Sequence, residues 1–229
     1  VLQPTAIYDD YWVPDANELV TEDDTSVDNF ASEKQQRLLV SSLYSSRKGQ
    51  VFIAAANVGV YYTPNQPAIV PDVFVSLDVQ VPQNWWEKSN RSYLVWQFGK
   101  PPEVVIEIVS NKVGEELGEK LSIYQKMRVS YYVIFDPSGQ LGETKLHIYE
   151  IKGIRYFETT ETWLEQVGLG LTLWQGEFES RQDLWLRWCD KDGNIFLTGD
   201  ERAEEAEQKA QRLAEQLRAL GVDPDSLSK

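Results

Sequence analysis

Two nearly unbroken apolar runs, EVVIEIVS (103–110) and YYVIFDP (131–137), constrain this chain most. A strand with one face in water alternates apolar and polar residues, whereas a strand covered on both faces reads as a continuous apolar run. Between the two runs lies LGEKLSIYQKM, which reads as a helix. Strand, helix and strand in series over 103–135 make a βαβ unit, so the two strands run parallel. Other strands surround this unit. QVFIAAANVGVYY precedes it, with a bend near Gly59, and IVPDVFVSLDV alternates after Pro71. KLHIYEI and IRYFETT form an antiparallel pair about Lys152-Gly153.

A first helix is predicted over DNFASEKQQRLLVSSLYSSRKG, capped by Asp28 or Ser32 and ended by Gly49. Leu39, Val40 and Leu43 form its apolar face, and Glu33 and Gln36 fall on the same line at helical steps. A glutamate on that line needs a partner if it is buried; otherwise it sits at the helix edge in water. At the other end, Ala203, Ala206, Ala210, Leu213, Leu217 and Leu220 repeat at spacings of 3 and 4, a short heptad seam. That helix stops at Gly221, before Asp223-Pro224, and reads as an oligomerisation or docking helix, for a homodimer or another homo-oligomer.

Length and composition set the outer bounds. The chain has 229 residues, 42% of them hydrophobic, which suffices for a core without disulfide staples. The one cysteine, Cys189, can make no intrachain bridge, and a reducing, cytoplasmic setting is expected. No apolar run approaches the roughly 20 residues of a membrane span, and VLQPTAIYDDYWVPD lacks the order of a signal peptide. The net charge of −14 argues against a polyanion partner only until its placement is read. Residues 1–28 hold eight acids and no Lys or Arg, an acidic arm; 200–229 hold eight acids and five bases. Within 88–155 there are ten bases and eight acids, so the middle of the chain is mildly basic. The segment QNWWEKSNRSYLVWQFGK (83–100) places three tryptophans among Lys88, Arg91 and Lys100. Such a segment either packs a long loop onto the core or a partner, or stacks on nucleobases.

The candidate chemistry is carboxylate chemistry. His147 is alone, no CxxC occurs, and GxSxG, Walker A and GxGxxG motifs are absent. Asp72 follows Pro71 at the start of a strand, and Glu107 sits inside VVIEIV. An ionised glutamate there needs a cation, a metal or hydrogen bonds to offset its desolvation. Glu103 shares its face, and Lys120 lies on the following helix. Two hard oxygen ligands suit Mg²⁺ or Mn²⁺, and a lysine beside them can stabilise charge building on a phosphoryl group. The alternative is a turn-capping Asp with a structural Glu–Lys ion pair and no catalysis.

The order PDVFVSLDV … PPEVVIEIVSNKVGEELGEKLSIYQKMRVSYYVIFDP resembles the Uma-type family of restriction-endonuclease-like proteins, within the PD-(D/E)xK nuclease superfamily. The resemblance covers about 29–175; GLGLTLWQGEFE resembles the family's sheet-ending segment, and the tail resembles a coiled-helix extension. It implies an α/β fold, a restriction-endonuclease-like mixed central sheet flanked by helices with a C-terminal helical, coiled-coil-like tail. The expected division is an arm at 1–28, a nuclease domain at 29–180, a connecting segment at 181–199 and the tail at 200–229. The implied activity is metal-dependent endonucleolytic hydrolysis of DNA. Asp72 and Glu107 would be the metal-binding and catalytic acids, Lys120 the catalytic cation and Glu33 an auxiliary group. In a strict ExK pattern the lysine would stand at 109, which is Val109, so Lys120 must reach back from the helix, with Lys112 as the fallback. A second function class stays open: a silent nuclease-like module that acts in assembly or partner binding.

Overall fold

The computed structural model describes residues 29–110 and 116–223. The acidic arm, Lys112 and the last six residues of the tail lie outside the described residues. In chain order the elements are α1 (Phe30–Ser46), β1 (Phe52–Ala56), β2 (Val60–Tyr61), β3 (Val73–Leu77), β4 (Tyr93–Leu94), α2 (Val95–Phe98) and β5 (Val104–Ile108). Then follow α3 (Leu121–Met127), β6 (Tyr131–Phe135), β7 (Leu146–Lys152), β8 (Arg155–Thr159), β9 (Trp163–Leu164), β10 (Leu169–Phe178), β11 (Arg181–Cys189) and α4 (Gly199–Ala219). The chain is mixed α/β and divides into two compact units, one built on Val51–Glu158 and the other on Phe30–Gln50 with the residues from Thr159 onward.

The first unit is a six-stranded mixed sheet in the order β1-β3-β5-β6-β7-β8. β5 and β6 run parallel in the register Val104↔Tyr131 to Ile108↔Phe135, and the crossover between them carries α3. All five residues of each of these strands are buried, as their unbroken apolar sequence requires. β3 pairs antiparallel with β1 on one side and β5 on the other, and β6 pairs antiparallel with β7. Phe74, Val105, Tyr132 and Ile134 form one cluster with Tyr124 and Met127, so α3 packs on one face of the sheet. The first strand breaks at the bend expected near Gly59. β1 ends at Ala56, Asn57 takes a left-handed φ of 54°, and β2 restarts at Val60 to pair in parallel with β4. The turn between β7 and β8 uses Gly153, whose φ of 64° few other residues adopt without strain.

The second unit centres on the antiparallel pair β10 and β11, in register from Gly170↔Cys189 to Phe178↔Arg181. Residues 181–199, expected as a connecting segment, hold a strand of this sheet at Arg181–Cys189: it opens on three exposed polar residues, its last five are all buried, and no turn signal comes until Asp190. The buried Gln35 of α1 bonds both the N–H and the C=O of Leu186 (2.9 Å each), and the Trp188 indole donates to the Leu39 carbonyl (3.0 Å). α4 begins with a capping box: Glu201 N–H donates to Thr198 Oγ1 and Thr198 N–H donates to Glu201 Oε2. The same Glu201 carboxylate takes two hydrogen bonds from the buried Arg187 guanidinium (2.9 and 2.7 Å), which lies over the Trp174 ring. Beyond that first turn α4 buries nothing, and its predicted seam is uncovered, with Leu213 and Leu220 exposed. Among the described residues no helix is long and apolar enough to cross a membrane.

The ion pair at the start of α4 sets a stability test. Glu201→Ala removes the partner of a buried arginine and one half of the capping box. It should cost about 3 kcal/mol in urea unfolding, whereas Thr198→Ala should cost only about 1 kcal/mol.

Candidate active site

Asp72 and Glu107 meet because of strand register. Val73 of β3 stands opposite Ile106 of β5 in an antiparallel pair, so the preceding Asp72 falls opposite Glu107, with both side chains on one face. Asp72 Oδ2 accepts the Ile108 N–H at 2.6 Å, which holds its carboxylate against β5. Glu107 alternates with Val105 and so faces α3, in a side-chain position only 2% exposed. Lys120 closes the wide turn Glu116–Lys120 that leads into α3, and its Nζ donates to Glu107 Oε2 at 2.8 Å. The other carboxylate oxygen, Oε1, accepts the Tyr124 O–H at 2.7 Å. Glu116 Oε1 lies 3.6 Å from Lys120 Nζ, and Glu116 Oε2 is buried with no hydrogen-bond partner among the described residues.

One cation thus serves three acids, and burial decides the balance. Desolvation drives the Glu107 pKa up from 4.5 to about 7, with a further push from Asp72, against the opposing pull of Lys120 and Tyr124. At Lys120 desolvation acts downward, but Glu107, Glu116 and Asp72 together outweigh it and raise the pKa, so the ammonium is firmly charged. The Tyr124 hydroxyl is pushed well above its usual range by burial and by Glu107, so it remains a donor. Near neutral pH the cluster can therefore release one proton from Glu107 when a stronger cation or a new donor arrives.

Asp72, Glu107 and Lys120 are brought together. Val109 is buried in the core with Tyr124, and its N–H donates to the Phe135 carbonyl at 2.8 Å, so the position two residues after Glu107 is spent on packing. Glu103 is committed elsewhere: it takes hydrogen bonds from Lys100 and from the Leu77 N–H. On α1 the line expected to face inward is only partly buried. Gln36, Leu39 and Leu43 are buried, while Glu33 is exposed, ion-paired to Arg37 at 2.9 Å within the second unit, and Arg37 continues to Glu179. The edge position in water wins there because a carboxylate loses more by burial than Arg37 alone returns. His147 bonds Glu158 at 2.6 Å, and Cys189 is buried. Sequence reasoning passed over Glu116 and Tyr124. The available signal was their spacing of four on either side of Lys120, which stacks side chains along a helical line.

The donor set suits a hard divalent cation that keeps much of its water. Among the described residues no group of three or more His, Cys, Asp or Glu side chains gathers as a closed metal cage. Asp72 and Glu107 offer the one or two carboxylates through which Mg²⁺ is ordinarily held, and the orphaned Glu116 oxygen lies beside them through Lys120.

A family model described as "Uma2: Putative restriction endonuclease" matches residues 22–173. No match was found among curated proteins. Among solved structures the chain is similar to "a putative nuclease belonging to DUF820" from Anabaena variabilis, at 16% identity and a TM-score of 0.44, over 60% of this chain and 72% of that one.

The raised Glu107 pKa fixes the sign of a pH effect. Between the ordinary 4.5 and about 7 the folded chain holds a proton that the unfolded chain has released, so metal-free stability falls as pH rises through that window. The loss should approach roughly 3 kcal/mol by pH 7. Urea melts from pH 4.5 to 7.5 should show the fall in the wild type and flatten it in Glu107→Gln.

Proposed function

Because the chain belongs to the Uma2 family, a nuclease family matched over 22–173, we propose that it is a metal-dependent endonuclease that hydrolyses DNA phosphodiester bonds. The observation that carries this reading is the buried Glu107 carboxylate, set opposite Asp72 and bonded to both Lys120 and Tyr124. Asp72 and Glu107 would hold Mg²⁺ or Mn²⁺. Such an ion, when bound, neutralises phosphate charge and makes water acidic enough to attack at neutral pH.

The chain's own groups do the rest. Lys120 aims a fixed positive charge at the carboxylate row, where it can also hold a phosphate oxygen or orient water as negative charge grows. Tyr124 fixes the Glu107 rotamer by donating to Oε1, which leaves Oε2 shared between Lys120 and whatever enters. Ile108 N–H does the same for Asp72. Glu107 would also share in positioning the attacking water. Glu33, the expected auxiliary group, lies in the second unit, where Arg37 already holds it, so its loss should matter least.

Plasmid and single-stranded DNA incubated with Mg²⁺ or Mn²⁺ should be cut. Asp72→Ala and Glu107→Ala should each abolish cutting, and Lys120→Ala should slow it about 100-fold or more. Activity that survives both acid substitutions overturns the assignment. Metal at about 100 times its dissociation constant should stabilise the wild type by roughly 2.7 kcal/mol in a thermal shift. The gain should vanish in Asp72→Ala and shrink only slightly in Glu33→Ala.

A second reading, assembly through the tail, is favoured by the uncovered seam of α4. Since Glu201 anchors the buried Arg187, the informative truncation begins at Glu205 and spares that pair. A fall in solution mass from dimer to monomer would support assembly, and undiminished mass would count against it.

A further inference from the structure

The long segment before α2 does something the nuclease cluster does not use. Tyr93 buries its ring between Phe74, edge-on at 5.2 Å, and Phe98, stacked at 4.3 Å. Its hydroxyl bonds Ser76 and the Lys100 carbonyl. That anchor holds a cavity of about 440 Å³, lined by Phe74, Trp85, Trp86, Arg91, Tyr93 and Phe98 among others. Trp85 and Trp86 are 56% and 80% exposed, although the core has aromatic contacts to offer, and Arg91 Nε donates to the Trp86 carbonyl at 3.1 Å.

Place and charge identify the occupant. Phe74 lies two residues beyond Asp72 on β3, so it shares the face that carries Asp72 and Glu107, about 7 Å further along the strand. One wall of the cavity, Phe74, therefore stands one side-chain row from Asp72 on the same face. In a chain of net charge −14, residues 83–100 carry three bases and one acid. Lys100 is held by Glu103, and Arg91 lines the cavity with Trp85 and Trp86. Aromatic faces beside a cation suit a planar base attached to a phosphate. In a duplex the faces of the bases are hidden by stacking, so only an unpaired or extruded base can enter.

We propose that this cavity is a nucleobase pocket, which takes one unpaired base of the DNA strand presented to Asp72 and Glu107. The proposal rests on the nuclease reading for its substrate, but it is tested by binding alone. Labelled single-stranded oligodeoxynucleotides, fully based or wholly abasic, are titrated by anisotropy against Asp72→Ala protein in EDTA. The based strand should bind about ten-fold tighter than the abasic strand of equal length. Trp86→Ala and Trp85→Ala should each erode that ratio toward one without lowering the melting temperature, and Trp86→Phe should restore most of it. Equal affinity for based and abasic strands, or a ratio unchanged in both alanine variants, overturns the pocket. So does a based strand that fails to bind at all. Cutting assays on the wild type separate the two proposals: cutting without base discrimination sinks only the pocket, and base discrimination without cutting sinks only the nuclease.

Discussion

A carboxylate that burial would neutralise, held between a lysine and a tyrosine, is the constraint on which the sheet unit depends. Glu107 stands in a strand whose every other residue is apolar and buried, and leaving it unpaired there would cost more than a typical core substitution. Lys120 and Tyr124 answer that cost from a single helical line, and Tyr124 is also the residue through which α3 packs on Val105 and Tyr132. The packing of the helix and the polarity of the site are therefore one arrangement. A shift of α3 by one residue would move its apolar contacts and strip the carboxylate of both partners.

The same logic accounts for the lysine's position. In a strict ExK strand the cation would share the face of Glu107 at position 109, but Val109 is buried there against α3. A lysine in that place would bury its stem and head together. On the helix, Lys120 keeps a side chain 31% exposed while its ammonium still reaches the acid. The charge arrives where desolvation is only partial, which leaves room for a second cation or a phosphate on its open side.

The parts of the fold most legible in the sequence were those with the strongest periodicity. The two apolar runs gave the parallel β5–β6 pair, and helical spacing closed by Gly49 and Gly221 gave α1 and α4. Asp72 and Glu107 were legible as an odd pair of acids in apolar strands. What sequence reasoning missed has physical reasons. β11 opens on the polar Arg181, Gln182 and Asp183 and lies after the segment that carries the family resemblance, so its sequence reads as a connector. Glu33 is one helical step from Gln36, yet the buried stripe of α1 runs through Ser32, Gln35, Gln36, Leu39 and Leu43 and leaves Glu33 at its edge, so spacing alone could not distinguish a core-facing acid from an edge one. Glu116 was hidden because a turn with Gly118 at φ −112° and ψ −106° interrupts the helix that would have displayed its spacing.

The charge balance of the chain gains a sharper meaning from this geometry. A chain of net −14 whose 88–155 stretch is only mildly basic draws a polyanion weakly by counterion release. The proposed site has two other sources of affinity on one face of the sheet: a pair of carboxylates that would bridge to phosphate through a cation, and open aromatic rings beside Arg91. Stacking depends little on salt, whereas phosphate contacts weaken steeply with it. A chain organised in this way would hold its strand chiefly by the bases beside the scissile bond, and its preference among DNA substrates would follow from how readily a base can leave its stack rather than from the charge density of the duplex.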